Sequence, residues 1–363
     1  MWRLPSRPRF AWTAILPLLG AGCGGGTAPA APPKLADAAR SVAQLSSVSA
    51  PTRTRLFQSF SLLAPYFFRV DSAPITAARS LALPPLRRWS LPRRVPLPAP
   101  GSRTVAAAIF PPTVLGKTFV WDTTAKGYVA SSDPGAPANG ARFVVYVTGP
   151  PLLLPVQPTL PLTPIGYVDL TDRSVGSNAV MGITLVDTEG AAPATYADYT
   201  LGGPPPSGVS STVALAGFLS DGLTRLDLTS ALSSTFSALT MHTTADIAAQ
   251  DAHLVEHVSL AGTATIDLSF DVSLTSGGET VRAKGTFVVD TLAQTAGGSF
   301  AVTVNGRSFA TITLGLHGDS YTAAPGVTLD AADDEALDAL VAASFGLFAV
   351  VLVMTIPGLV LGV

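Results

Sequence analysis

The sequence predicts a mainly β protein, built on a large antiparallel sheet that is curved or forms a partial barrel. After Gly116, short runs rich in Val, Thr, Tyr and Phe are separated by Gly, Pro, Asn and Asp, as is typical of strands and turns. Between Ala261 and Leu316 the runs lengthen, and polar and apolar residues alternate along them. We therefore expect consecutive strands to pair as a meander with one buried face, and helices from both ends of the chain to pack on the sheet.

The composition is that of a folded chain with opposite charges in its two parts. Of the 363 residues, 47% are hydrophobic and 13% are charged, which is enough apolar material for a large core. Residues 1–103 contain fourteen Lys or Arg and two acids, whereas the remaining residues contain eight and twenty-two. We expect the basic segment to fold back on the acidic body, with binding to anionic lipid headgroups as the alternative.

The N-terminus has the features of an export signal. Arginines precede an apolar run at residues 10–19, and small residues lead from it to Cys23, the only cysteine in the chain. We therefore predict a signal peptide over residues 1–22 and a flexible tether over residues 23–36. Nucleic acid is not an expected partner, because an exported chain does not meet it.

The residues before and at the cysteine resemble the lipobox of bacterial lipoproteins, with Gly20, Ala21 and Gly22 leading to Cys23. The lipobox usually has leucine three places before the cysteine, where this chain has Gly20, and Leu19 stands one place earlier. The resemblance implies cleavage by signal peptidase II and lipidation of Cys23. A glycine rather than an aspartate after the cysteine implies passage to the outer membrane. We accordingly expect an envelope protein, held at the outer membrane and facing the periplasm or the cell surface.

Two short helices and a proline-rich stretch are expected between the tether and the sheet. Apolar residues recur at helical spacing in residues 34–46 and again in residues 53–64. Residues 84–112 contain too many prolines for a helix or an inner strand. We therefore assign residues 37–104 to a basic helical and proline-rich arm, and residues 105–329 to the antiparallel β domain.

The longest alternating runs are separated by Gly277-Gly278 and by Asn305-Gly306. The Asn-Gly pair favours a type I′ hairpin turn, in which both central residues have positive φ. Strands of about twelve residues twist and coil, which favours a curved sheet over a flat one. In the run before the first turn, one face carries only apolar residues: Ile266, Leu268, Phe270, Val272 and Leu274.

Residues 330–363 are predicted to form a C-terminal apolar helix that begins with a cap at Asp330. The last 22 residues, 342–363, contain no charge, so their length and composition also fit a transmembrane span. Pro357 interrupts this stretch, and no Lys or Arg follows to fix an orientation in the membrane. We favour a helix that fills the concave side of the sheet. A bitopic protein anchored by this helix is the alternative.

The motif His253-Leu-Val-Glu256-His257 is the sharpest candidate for catalytic chemistry. It resembles the inverzincin H-x-x-E-H arrangement, which implies zinc on both histidines, Glu256 as the base, and Glu335 as the third ligand. That site needs the histidines one helical turn apart, but the motif leads directly into alternating strands. In a strand the two histidines would stand about 13 Å apart. We therefore expect no metal and no cofactor, and keep a zinc-dependent hydrolase as an alternative.

The favoured function is a non-enzymatic binding or scaffold module that a lipid anchor holds at the membrane. The sequence has no G-x-S-x-G elbow and no phosphate-binding P-loop, and no cysteine besides Cys23 is present for thiol chemistry. The expected partner is a hydrophobic small molecule or another envelope protein. The expectation of a hydrophobic ligand rests on an analogy of fold with the half-barrel lipoprotein carriers of the bacterial envelope.

Overall fold

A sheet of fifteen strands accounts for most of the described chain. The computed structural model describes residues 54–67, 109–149, 157–176, 178–203, 210–235, 237–262, 265–290, 292–315 and 319–361. Helix α1 (Arg55–Leu63) precedes the sheet and helix α2 (Ala331–Leu361) follows it. The strands are β1 (Lys117–Asp122), β2 (Gly127–Ser131), β3 (Gly140–Tyr146), β4 (Pro164–Asp172), β5 (Ala179–Asp187), β6 (Ala194–Gly203), β7 (Ser211–Ser220), β8 (Arg225–Ser234), β9 (Ala238–Ile247), β10 (Ala252–Gly262), β11 (Thr265–Ser276), β12 (Glu279–Asp290), β13 (Thr295–Val304), β14 (Arg307–Gly315) and β15 (Ser320–Ala323).

This architecture confirms the predicted fold class, a mainly β protein with a large sheet and an apolar C-terminal helix. The predicted signal peptide, the tether with Cys23 and the helix over residues 34–46 lie outside the described residues. The helix predicted over residues 53–64 is α1.

Strands β3 to β15 form an uninterrupted meander, in which each strand pairs with the next one along the chain. These pairs are antiparallel, as the alternating runs and short turns predict. The expectation is wrong at one place, because β1 pairs in parallel with β3 and β2 takes the edge position beside β1. The sheet remains open, with β2 at one edge and β15 at the other.

The two faces of the sheet have the predicted polarity. On β11 the five apolar residues of the predicted face are each 8% exposed or less, whereas Asp267 on the other face is exposed. The turn residues Asn305 and Gly306 have φ values of 51° and 75°, which confirms the predicted type I′ conformation. One face of the sheet is therefore core, and the other faces solvent.

Helix α2 crosses the apolar face of the sheet. Near its middle, the ring centroid of Phe345 lies 4.6 Å from that of Phe270 on β11. Near its end, a Cβ added to Gly358 would lie 3.1 Å from the side chain of Leu201 on β6. The helix therefore contacts strands that stand far apart in the order of the sheet.

The sheet must curve around α2. Fifteen strands spaced about 4.8 Å apart make a sheet about 70 Å wide, whereas a helix with its side chains is only about 10–12 Å across. Inner side chains are nevertheless buried from Phe119 on β1 to Ile312 on β14. A flat sheet would leave many of them in water. The curvature predicted from strand length lets α2 cover inner side chains from β6 to β13, and α1 covers the β1–β3 end.

Over the apolar part of α2, the exposed positions carry small residues, and larger residues such as Phe345 and Leu352 are half-buried or buried. Between Leu340 and Gly358, only Ala342 and Ala349 are exposed, and they lie on one stripe of the helix because they are seven residues apart. The helix is long and apolar enough to cross a membrane, and half of its most apolar window is buried inside the protein. This burial supports the expected packing inside the sheet.

Helix α2 begins at the predicted cap and continues past Pro357. The Asp330 carboxylate accepts hydrogen bonds from the backbone N–H groups of Ala332 and Asp333, at 2.8 and 3.0 Å, which confirms the predicted cap. At the other end, the expected interruption at Pro357 is wrong, because the helix continues to Leu361. Pro357 and Gly358 are buried there, so packing against the sheet offsets the lost backbone hydrogen bond.

Helix α1 closes the β1–β3 end of the core with aromatic side chains. The turn that follows it, Ala64–Tyr66, leads to Phe67, whose ring stacks on Phe143 of β3 at 4.7 Å between centroids. Phe119 of β1 stacks on the same ring at 4.9 Å. The N-terminal helix and the first strands therefore share one aromatic cluster.

Replacing Gly285 by alanine should reduce the free energy of unfolding by at least about 2 kcal/mol. A Cβ at this position of β12 would lie 1.9 Å from the carbonyl oxygen of Ser299 on β13, so two paired backbones would have to separate. The matched control is Gly346→Ala on α2, where nothing lies within 4 Å of the added Cβ. That change should stabilise the protein by up to about 1 kcal/mol, because alanine favours the helix over glycine. Urea unfolding measures both changes, and equal effects would contradict the close strand approach at Gly285.

Candidate functional site

The polar face of the sheet carries a group of histidines and charged residues on β9 to β12. Strand alternation places them on the side opposite α2, where they are exposed or half-buried. We call this group the outer-face cluster. Its members are His242, Asp246, His253, His257, Asp271, Arg282 and Lys284.

The H-x-x-E-H motif lies in strand β10 and not in a helix. Because strand side chains alternate, His253 and His257 are on the outer face, whereas Glu256 is on the inner face and 0% exposed. Glu335 is an exposed residue near the start of α2. The zinc-hydrolase alternative therefore lacks its geometry, since the base and the two histidines point to opposite sides of the sheet. Over the described ranges, no three or more His, Cys, Asp or Glu residues are grouped so as to hold a metal ion.

The partner of His257 is His242, which stands directly opposite it on β9. Their Nδ1 atoms are 3.1 Å apart, and the two rings are stacked with centroids 4.1 Å apart and planes inclined by 28°. Burial, and then the neighbouring His257, lower the pKa of His242 below its usual value. The neutral imidazole of His242 is therefore favoured near pH 7.

The next strand contributes a carboxylate that is already engaged. Asp271 of β11 stands opposite His257, and Arg282 of β12 donates to both of its oxygens, from Nε at 2.6 Å and from Nη2 at 2.5 Å. Lys284 lies 3.7 Å from the same carboxylate. The hydrogen bonds from Arg282 lower the pKa of Asp271, so this group stays ionised and paired.

A second pair lies further along the same hairpin, beside a groove that is lined mainly by β7 and β8. His253 Nδ1 is 2.6 Å from an oxygen of Asp246, its partner across β9 and β10. Asp246 also lines an open groove of about 270 Å³, together with Asp227 and Arg225, which form an ion pair at 2.8 Å. Three of its six lining residues are charged, and the other three are Gly217, Leu228 and Thr229.

Glu256 occupies a core position that a hydrophobic residue would normally fill. It stands between Thr243 of β9 and Val272 of β11, and neither of its carboxylate oxygens has a hydrogen-bond partner. Thr243 is itself hydrogen-bonded to Ser230 of β8, at 2.9 Å between the hydroxyl oxygens. Burial raises the pKa of Glu256 well above its usual value, so the neutral acid is favoured in the folded protein.

Sequence reasoning identified His257 but missed its partner His242. The register of the β9–β10 hairpin is what brings the two histidines together. Each of them lies five residues from the pair next to the turn, Ile247 and Ala252. The turn at Ala248–Gln250 contains none of the usual Gly, Pro or Asn markers, so the register was hard to place. Glu256 on the inner face also interrupts the apolar alternation that would have identified β10 as a strand.

Comparison of this chain with models of protein families, with curated proteins and with solved structures finds no match. The fold and the site define the chain as an open sheet, antiparallel except between β1 and β3, that curves around its own C-terminal helix and displays a histidine-bearing polar face.

Proposed function

We propose that this protein is an exported, lipid-anchored envelope protein that acts as a binding or scaffold module and not as an enzyme. Cys23 would carry the lipid, and the following glycine- and proline-rich residues would act as the tether. The folded body would then be held at the outer membrane, facing the periplasm or the cell surface. The occupation of the concave face by α2 is the observation that favours a scaffold.

The described cavity between α2 and the apolar face of the sheet has little room for a ligand. The cavity between α2 and strands β11 to β13 measures about 10 Å³, and Phe270, Phe300 and Phe345 are among its lining residues. Sites for small molecules typically measure about 300–1,000 Å³. A hydrophobic cargo would therefore have to displace α2, whereas a scaffold needs no such step.

The outer face offers the surface through which a scaffold would bind. Five strands, β8 to β12, present polar and charged side chains there, and the charged groove beside Asp246 lies at one end of the hairpin. Ion pairs such as Arg282 with Asp271 fix the positions of several of these charges. Such a surface suits an envelope protein with a polar, charged face more than it suits a lipid tail.

Changing Cys23 to alanine should abolish both lipid labelling and membrane attachment. We would express the full chain and the variant in a Gram-negative host with a labelled fatty acid, and then fractionate the membranes. Gly24→Asp is the matched control, since it should keep the label but change the membrane fraction from outer to inner. If the Cys23 variant keeps its label, Cys23 is not the lipidated residue. If label is absent and the variant still sediments with the membrane, α2 is the anchor.

The same preparation tests whether the body carries a hydrophobic ligand. The Cys23→Ala variant has no covalent lipid, so any lipid in an organic extract of the purified protein must be bound non-covalently. We expect less than one lipid per chain, because α2 fills the concave face. Stoichiometric lipid, identified by mass spectrometry, would show that the protein is a lipid carrier and not a scaffold.

A further inference from the structure

We infer that His242 and His257 together form a binding site for one divalent transition-metal ion on the outer face of the sheet. The site differs from the H-x-x-E-H motif, because it pairs His257 across the hairpin with His242 and includes neither Glu256 nor His253. It also stands independently of the proposed lipid anchor, since it depends only on the β9–β10 hairpin.

The separation of the two imidazoles fits a shared ion. Zinc binds histidine nitrogen at about 2.0–2.1 Å, so two nitrogens 3.1 Å apart would subtend about 98° at the ion. That angle lies between the 90° of square-planar or octahedral sites and the roughly 109° of tetrahedral ones. The cross-strand pairing therefore holds the two nitrogens at a separation close to the one that a shared ion requires.

Without metal, the 3.1 Å contact is a hydrogen bond between the two imidazoles, which a bound ion would replace. An imidazole N–H lies in the plane of its ring, and the two planes here are inclined by only 28° with centroids 4.1 Å apart. A nitrogen lone pair lies in the ring plane as well, so an ion shared by both rings must lie near both planes. Binding one ion therefore requires the rings to rotate about χ2, which is a soft torsion in histidine.

The surroundings determine the kind of ion and what else can bind to it. Neutral imidazole nitrogens favour Cu²⁺, Ni²⁺ and Zn²⁺ over Ca²⁺ and Mg²⁺, which prefer oxygen. Asp271, the nearest carboxylate in the row, is held by two hydrogen bonds from Arg282 and is not free to act as a third ligand. The bound ion would keep positions open to water or to a side chain of a binding partner.

The hairpin holds the two histidines in place without metal. Strands β9 and β10 share ten residue pairs, and each is paired on its other side as well, to β8 and β11. Two ligands fixed on a rigid sheet bind one ion more tightly than two free imidazoles, because the second is held at a high effective concentration.

The test is titration of the purified full chain with Cu²⁺ at pH 7.5, followed by calorimetry and by electron paramagnetic resonance. We expect one tightly bound ion per chain and a spectrum with two coordinated nitrogens. His242→Gln and His257→Gln should each weaken binding on the order of a hundredfold, and leave one nitrogen. His253→Gln is the matched control, since it lies on the same face of β10 and is paired to Asp246.

The His253→Gln variant shows whether the copper is bound at this site or by another histidine. An unchanged affinity in His253→Gln, with unchanged thermal unfolding of all three variants in the absence of metal, would support the inference. Absence of binding by the unchanged protein would overturn it. So would retention of both nitrogens in His242→Gln, or an equal loss in His253→Gln.

Discussion

An aspartate at Leu347 should prevent the chain from folding, whereas an aspartate at Ala349 should cost about 1 kcal/mol or less. Leu347 is 1% exposed, on the side of α2 that faces the sheet, so its replacement would bury an unpaired charge. Ala349 is exposed, and a carboxylate there can be hydrated. Thermal unfolding followed by circular dichroism measures both effects.

The two aspartates also separate the packed helix from a membrane anchor. At the centre of a transmembrane span, a charge costs about 2.5–3.5 kcal/mol whichever side of the helix carries it. An anchor would therefore respond alike to both substitutions, with loss of membrane attachment in each case. Equal effects of the two variants would show that α2 does not pack in the core of this fold.

We expect the unchanged protein to lose stability as the pH rises, because Glu256 is buried. Replacing Glu256 by glutamine should abolish this loss. In the unfolded chain this carboxyl has a pKa of about 4.3, and burial raises the pKa in the folded protein. Between the two values the folded state binds more protons than the unfolded state does. The contribution of Glu256 to stability is therefore complete below about pH 4.3 and declines by up to about 1.4 kcal/mol per pH unit until the folded pKa is reached.

The measurement is urea unfolding of both proteins from pH 4 to pH 9, with the difference between them plotted against pH. Asp267→Asn is the matched control, because that side chain is exposed on the neighbouring strand β11, and its difference should stay flat. Glu256→Met should stabilise the protein by about 1–3 kcal/mol, since it removes a buried polar group without partners. A flat difference for Glu256→Gln would show that water or another group reaches the carboxyl.

Features that depend on neighbouring residues were predictable from the sequence. The polarity of the two faces of β11 follows from strict alternation, and the turn at Asn305 follows from the backbone preferences of Asn-Gly. The cap at Asp330 is equally local, because the carboxylate binds N–H groups two and three residues later. Each of these features is decided within a few residues, by sterics and by hydrogen bonds that the sequence itself provides.

Features that depend on distant residues were missed. At one edge of the sheet β1 pairs in parallel with β3, where the meander predicts that β2 pairs with β3. No local sequence pattern predicts this pairing. Helix α2 continues through Pro357 because the sheet packs around that turn. His242 and His257 meet because of a hairpin register, whereas the visible motif suggested His253 as the partner of His257.

The sequence by itself therefore determined the fold class, the two faces of the long strands, and the presence of an apolar C-terminal helix. Only the tertiary structure decided that the sheet curves around this helix, that Glu256 lies in the core, and that two histidines from different strands stand 3.1 Å apart. The physical reason is the range of the interactions. Backbone preferences and alternation act between neighbours, whereas register, curvature and burial arise when strands far apart in the chain share one core.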